Sequence, residues 1–165
     1  MRYVMRQKLL SLAVSFTIKD ESGREAYYVK GEPFRFGNKL SLQDTNGIEL
    51  VHIDQRPLNW VPTYELWRDG GLLAVVERPR FSFGRRFTIG VRGSDDLEAN
   101  GNFLDHEYIF TRGDQAVAIL TRRWLAFTAA CGIEINHGED EALLLASAVV
   151  VELVCRRRQT TLTVT

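Results

Sequence analysis

The chain is poor in the residues that announce a chemistry. Only Cys131 and Cys155 stand for cysteine among 165 residues, with no paired-ligand spacing. That excludes a multiply stapled secreted scaffold and a Cys-rich zinc module. One disulfide is the most the pair allows, and two free thiols in a reducing compartment are the expectation. Neither sign of charge is in excess: Lys+Arg and Asp+Glu each number 21, a formal net charge of zero. No global field draws the protein to nucleic acid or acidic lipid, so any such binding must come from a local patch. Prolines number four, at Pro33, Pro57, Pro62 and Pro79, and no Pro/Ser-rich linker divides the chain. The first residues, MRYVMRQKLLSLAVSF, mix charge into their apolar positions. They lack the continuous apolar core of a signal peptide, and a cytoplasmic protein is expected. GxSxG, P-loop and dinucleotide fingerprints are missing, so no cofactor is expected and no reaction is indicated.

What the chain does have is a repeat. The segments 16-FTIKDESGREAYYVKG, 40-LSLQDTNGIELVHIDQ and 64-YELWRDGGLLAVVER follow one plan, with a fainter copy in 108-YIFTRGDQAVAILTRR. The first three open on an apolar–polar–apolar triplet and the fainter copy on Tyr-Ile-Phe; each passes an Asp/Asn/Gly turn and returns through a β-branched run, the pattern of a strand hairpin. Gly23, Gly47, Gly71 and Gly113 are the expected turn glycines. Another strand pair is expected in 87-FTIGVRGSDDLEANGNF, and the openings at Phe16, Leu40, Tyr64, Phe87 and Tyr108 recur every 21 to 24 residues. About twelve short strands in consecutive hairpins make an antiparallel meander, and a meander of that size removes its edges by closing.

The longest apolar run, Ala142 to Cys155, is preceded by acid and followed by Arg156, Arg157 and Arg158. Helix fits it: Asn136 and Glu139 are spaced as a capping box, and the flanking charges suit the macrodipole. The Val149-Val150-Val151 triplet dissents. Fourteen residues rise only about 21 Å against roughly 30 Å of hydrocarbon, and Glu152 lies inside the run, so a membrane span is disfavoured. A helix apolar on every side must be surrounded, and the meander is the available wall. The expected fold is therefore mainly β: a closed antiparallel barrel of about twelve strands around a central hydrophobic C-terminal helix. One domain over 1–158 is expected, with the helix at about 138–156 and a tail at 159–165 that either adds a short strand or stays disordered.

Three segments carry a resemblance. The opening 2-RYVMRQKLLSL with 16-FTIKDESG, then 95-DDLEANGNFLDHEYIF, then 132-GIEINHGEDEALLLASAVVVELVC resemble the LURP-one-related proteins, in order along almost the whole chain. That family is similar to the tubby C-terminal domain and the phospholipid scramblases, whose shared fold is a twelve-stranded barrel around a central hydrophobic helix. The resemblance implies little about activity. Tubby domains bind phosphoinositide headgroups through basic residues on the barrel exterior, and scramblases carry a calcium-responsive acidic segment before the helix. The proline-rich N-terminal region and cysteine-rich palmitoylation segment of scramblases have no counterpart in this sequence, which speaks against scramblase activity.

The strongest binding candidate is 78-RPRFSFGRRF-87, where Arg78, Arg80, Arg85 and Arg86 interleave with Phe81, Phe83 and Phe87. Clustered guanidiniums hold phosphate oxygens bidentately. The commoner role of such a run is a solvated strand end over core phenylalanines. Arg122 and Arg123 beside Trp124 form a weaker candidate of the same kind. The Arg156–Arg158 run suits anionic lipid or the helix C-terminus equally. Asp105, His106 and Glu107 would split across two faces of a strand, and His52 is expected to face outward. His137 precedes the helix, and no metal site is expected. Glu139, Asp140 and Glu141 fan out around a helix axis, a poor calcium cage, and are assigned to the helix N-terminus; Asp95 and Asp96 read as turn residues. The leading expectation is a non-enzymatic binding or scaffold protein. Its sharper form is an anionic phospholipid headgroup or another phosphorylated ligand on Arg78, Arg80, Arg85 and Arg86, at or near a membrane surface. A barrel-mouth enzyme or lipid-handling protein is the alternative, and a nucleic-acid binder the third reading.

Overall fold

Every apolar triplet that opens a repeat becomes the start of a strand with its outer members turned inward. In a computed structural model, which describes residues 1–8, 13–33, 37–80, 85–102, 107–121 and 130–163, twelve strands precede one helix. The strands are β1 (Arg2–Gln7), β2 (Ser15–Asp20), β3 (Glu25–Gly31), β4 (Lys39–Asp44), β5 (Glu49–Gln55), β6 (Thr63–Arg68), β7 (Gly71–Glu77), β8 (Arg85–Val91), β9 (Leu97–Asn102), β10 (Glu107–Arg112), β11 (Gln115–Thr121) and β12 (Ala130–Ile135). The helix α1 spans Glu141–Thr163. Each strand pairs antiparallel with its neighbours in sequence, and β1 also pairs with β12, so the meander closes into a barrel. Closure leaves no unpaired edge to template aggregation.

The repeat now has a spatial meaning. Phe16, Leu40, Tyr64, Phe87 and Tyr108 occupy the same inward position near the start of β2, β4, β6, β8 and β10, and all are buried. Two residues on, Ile18, Leu42, Leu66, Ile89 and Phe110 are buried too, as period-two alternation requires. A register shift follows Ile18, Leu42, Leu66 and Phe110 in four of the hairpins. Such bulges add local twist and bend the strand, and their repetition helps a long sheet curl until its ends meet.

Eight strands give a bore that side chains fill; twelve give one that needs more. Here α1 fills it. Leu143 through Val154 are all buried, including Val149, Val150 and Val151. The β-branched triplet is helical because packing on every side outweighs the small propensity penalty. No helix of the described residues is long and apolar enough to cross a membrane.

The two ends of the barrel differ. At one, strands are joined by the short connections 21–24, 45–48, 69–70, 92–96 and 113–114, and the chain enters α1 through 136–140. At the other lie the connections from β1 to β2, β3 to β4, β5 to β6 and β7 to β8, of which residues 8, 13–14, 32–33, 37–38, 56–62 and 78–80 are described. We call these the tight end and the wide rim.

Three local expectations change. At 69–70 the positive φ falls on Asp69 (49°) and Gly70 (75°), while Gly71 already opens β7. Both central residues of a two-residue hairpin turn with matching twist need φ > 0, and Asp-Gly supplies it. The helix is capped by Asp140 rather than by an Asn136–Glu139 box: Leu143 N–H donates to Asp140 Oδ1 (3.1 Å), and Asn136 instead donates from its amide to Ala116 O (2.7 Å). The helix also runs on to Thr163 where a tail was expected from 159, because neither Gly nor Pro follows Cys155 to stop it. The arginines after Cys155 therefore precede its last turn, and Arg156 bonds Glu152 one turn back.

The candidate binding rim and its anchored helix

The three consecutive acids at the tight end hold the helix to three separate parts of the wall. Glu139 is bound by Arg112 of β10 through two contacts, 2.9 and 2.8 Å. Asp140 is bound by both terminal nitrogens of Arg68 of β6, at 2.7 and 2.8 Å. Glu141 accepts the hydroxyls of Tyr3 (2.5 Å) on β1 and Tyr27 (3.2 Å) on β3. Burial, with the Glu141 hydrogen bond second, pushes the Tyr3 hydroxyl far above its ordinary value. Burial alone would raise the Asp140 carboxyl; the Arg68 and Leu143 hydrogen bonds outweigh it and hold the group below its ordinary value. Spread around the axis in this way, the acids act as anchors, and no group of three or more His, Cys, Asp or Glu suited to a metal ion occurs among the described residues.

At the wide rim the four candidate arginines divide. Arg78 is 9% exposed, and its guanidinium lies 6.0 Å from the centroid of the Phe87 ring. Arg85 shares the inward face of β8 with Phe87 and Ile89. Both Arg78 and Arg85 act electrostatically on Tyr108 and Cys155, whose Oη and Sγ lie 3.0 Å apart. Burial pushes the Cys155 thiol and the Tyr108 hydroxyl up, so the thiol is poorly disposed to form a nucleophilic thiolate. Arg86 alternates outward and pairs with Glu98 on β9. Arg80 is exposed and stacks over the Trp60 ring at 5.7 Å. The set is thus two inward cations, one outward ion pair and one rim cation, not a single exterior face. Phe81, Phe83, Asp105, His106, Arg122, Arg123 and Trp124 lie outside the described residues, as do the side chains of Arg157 and Arg158.

The row that seats Arg85 explains one glycine. Gly101 pairs with both Arg85 and Tyr108, and the tyrosine ring lies across it. A Cβ there would come within 2.6 Å of Tyr108 Cε1 and 2.8 Å of Arg85 Cβ.

Two rim residues escaped the sequence reading. Leu58 is 93% exposed and Trp60 90% exposed, both in the 56-RPLNWVP-62 connection. The signal was available, because a Leu and a Trp between two prolines cannot follow the inward alternation of either flanking strand. Elsewhere the bland readings hold. His52 alternates outward beside Glu49, with Nδ1 3.5 Å from Oε2, and His137 is exposed. Asp96 accepts the Val91 N–H (2.9 Å) across its turn.

The closed barrel around an apolar helix can be compared with known proteins. The LURP-one-related family model matches residues 1–152. The chain belongs to the LURP-one-related family. The chain is similar to the uncharacterized protein YxjI of Bacillus subtilis (strain 168), 27% identical over 151 residues, which cover 91% of both chains. The X-ray structure of a protein from Arabidopsis thaliana superposes with a TM-score of 0.64 at 17% identity, over 94% of this chain and 91% of that one. That likeness shows that the two chains share a fold at low sequence identity.

Proposed function

We propose that this LURP-one-related protein is a non-enzymatic binding protein whose wide rim meets an anionic lipid surface, peripherally and from the cytoplasmic side. The observation that carries the reading is the exposed Leu58–Trp60 pair with Arg80 stacked on the Trp60 ring. A Trp with a cation on its face suits the headgroup layer, where its ring is half apolar and half wet. Fully burying a Leu side chain is worth about 2 kcal/mol, and a cation near an anionic leaflet adds about 1 kcal/mol. Arg80 and Arg85 are the headgroup contacts, with Arg78 behind them fixing the local charge. Arg86 contributes less because Glu98 already offsets it. The sum is a weak, reversible association, appropriate to a peripheral protein.

Co-sedimentation with phosphatidylcholine vesicles, with and without phosphatidylserine, tests this. Pelleting should require the anionic lipid, fall on adding salt, and drop at least fivefold in Leu58→Ser/Trp60→Ala and in Arg80→Glu/Arg85→Glu. Equal pelleting of all variants, or none of the wild type, rejects the reading.

A further inference from the structure

The outer wall of the barrel holds a second basic feature, on β1 and β2, that owes nothing to the rim arginines. Tyr3 and Met5 turn inward on β1, so Val4, Arg6 and Lys8 turn outward; Phe16 and Ile18 turn inward on β2, so Thr17 and Lys19 turn outward. The register sets Arg6 opposite Thr17 and Val4 opposite Lys19, and Lys8 N–H reaches Ser15 O at 2.9 Å. Arg6 therefore sits with Lys19 one outward row to one side and Lys8 one outward row to the other, each about 7 Å away along the strand. All three are exposed, and together with Val4, Gln7, Thr17 and Glu25 they line a groove of about 370 Å3.

These three cations converge on one groove without a carboxylate partner among the described residues. Arg2, Lys39, Arg56, Arg68, Arg86 and Arg112 each pair with a carboxylate. Among the described residues, Arg6, Lys8 and Lys19 pair with none. Glu25 stands opposite Lys19 in the register, but its carboxylate accepts the Tyr28 hydroxyl instead. Three exposed cations converging on one groove repel each other, and an unmatched cluster of this kind is relieved by a multiply charged anion.

We infer that this groove binds a phosphomonoester dianion. Arg6 offers a planar fork that grips two phosphate oxygens, while Lys8 and Lys19 close as point charges from either side. The Thr17 hydroxyl, directly across from Arg6, donates to a third oxygen. Glu25 repels a second phosphate and accepts a hydroxyl of the organic part. A groove of this size takes a small phosphorylated polyol, whether free or as the headgroup of a lipid. The inference is independent of the rim proposal, and the two fail separately.

Titration of the protein with glycerol 3-phosphate, followed by amide chemical shifts, tests the site, with inorganic phosphate and unphosphorylated glycerol alongside. Saturable shifts should centre on residues 4–8 and 15–19, be absent with glycerol, and strengthen as pH rises through about 6, where the second phosphate proton leaves. Arg6→Gln and Lys19→Gln should each weaken binding tenfold or more, and Arg80→Glu should leave it unchanged. Equal affinity for inorganic phosphate supports the site and assigns recognition to the phosphate group alone. Saturable binding only to vesicles containing phosphatidic acid, still lost in Arg6→Gln, supports it and assigns the source to lipid. Shifts that do not saturate, or that persist in Arg6→Gln/Lys19→Gln, overturn it.

Discussion

Asp140 does two jobs at once, and they can be separated. Its carboxylate caps the helix through the Leu143 N–H, and it binds both terminal nitrogens of Arg68. Losing an N-cap side chain costs about 1 kcal/mol. The Arg68 and Asp140 side chains are 33% and 37% exposed, so solvent screens the pair well below the cost of breaking a buried one. About 1 kcal/mol is a fair value for it, at the upper end for exposed pairs. Asp140→Ala should therefore lose about 2 kcal/mol, and Asp140→Asn, which still caps, about 1 kcal/mol. In urea, with a slope of about 2 kcal/mol per molar, the midpoints should fall by about 1 M and about 0.5 M. Arg68→Met combined with Asp140→Asn should cost little more than either alone. The acid limb adds a check. The folded carboxyl titrates below its ordinary value, so its stabilisation is complete above the unfolded value of about 3.9 and is lost as pH falls through the lower folded value. Asp140→Asn should flatten stability against pH in that window. If Asp140→Ala were no worse than Asp140→Asn, the cap would contribute nothing and the reasoning would fail.

Two further substitutions test the interior. Gly101→Ala usually favours a strand, but here the new methyl meets the Tyr108 ring and Arg85 Cβ; a loss of about 1–3 kcal/mol is expected by chemical denaturation, reduced in the company of Tyr108→Val, and a gain in stability would refute the close packing. Ser147 is fully buried in α1, and its Oγ has no hydrogen-bond partner among the described residues. Ser147→Ala should be neutral or stabilise by up to about 1 kcal/mol in thermal unfolding, whereas a drop of several degrees would reveal a partner for the hydroxyl.

Much of the wall was legible because its signals are local and repeated. The triplets from Phe16 to Tyr108 mark strand starts at one fixed depth in the barrel, and the all-apolar helix demanded a wall on every side. The bulges after Ile18, Leu42, Leu66 and Phe110 left no such mark, since they are set by how neighbouring strands twist against each other. The N-cap was misplaced for a related reason. Asn136 and Asp140 are both good caps by type, and the choice fell to Asp140, where Arg68 waits on β6, a partner 72 positions away. The arginines of 78–87 were legible as a cluster but not as a surface. Alternation sends Arg85 in and Arg86 out, and the burial of Arg78 depends on the Phe87 ring beside it. Leu58 and Trp60 show the converse: apolar residues in a connection are uninformative until their exposure is known.

The order of elements along the chain has a consequence for how the protein is made. All twelve strands precede the helix that fills them, and the seam between β1 and β12 joins Met5 to Cys131, 126 positions apart. Synthesis delivers the N-terminal residues first. A nascent chain that has emerged as far as β11 therefore holds an apolar inner face with nothing to cover it and two unpaired edges. Neither defect is cured until the last quarter of the sequence arrives, and it cures both together. Local hairpins form early, but the cooperative step waits on distant partners, the costly kind of contact in folding. Truncation before β12 removes both the closing strand and the helix, and leaves an open sheet with an uncovered apolar face.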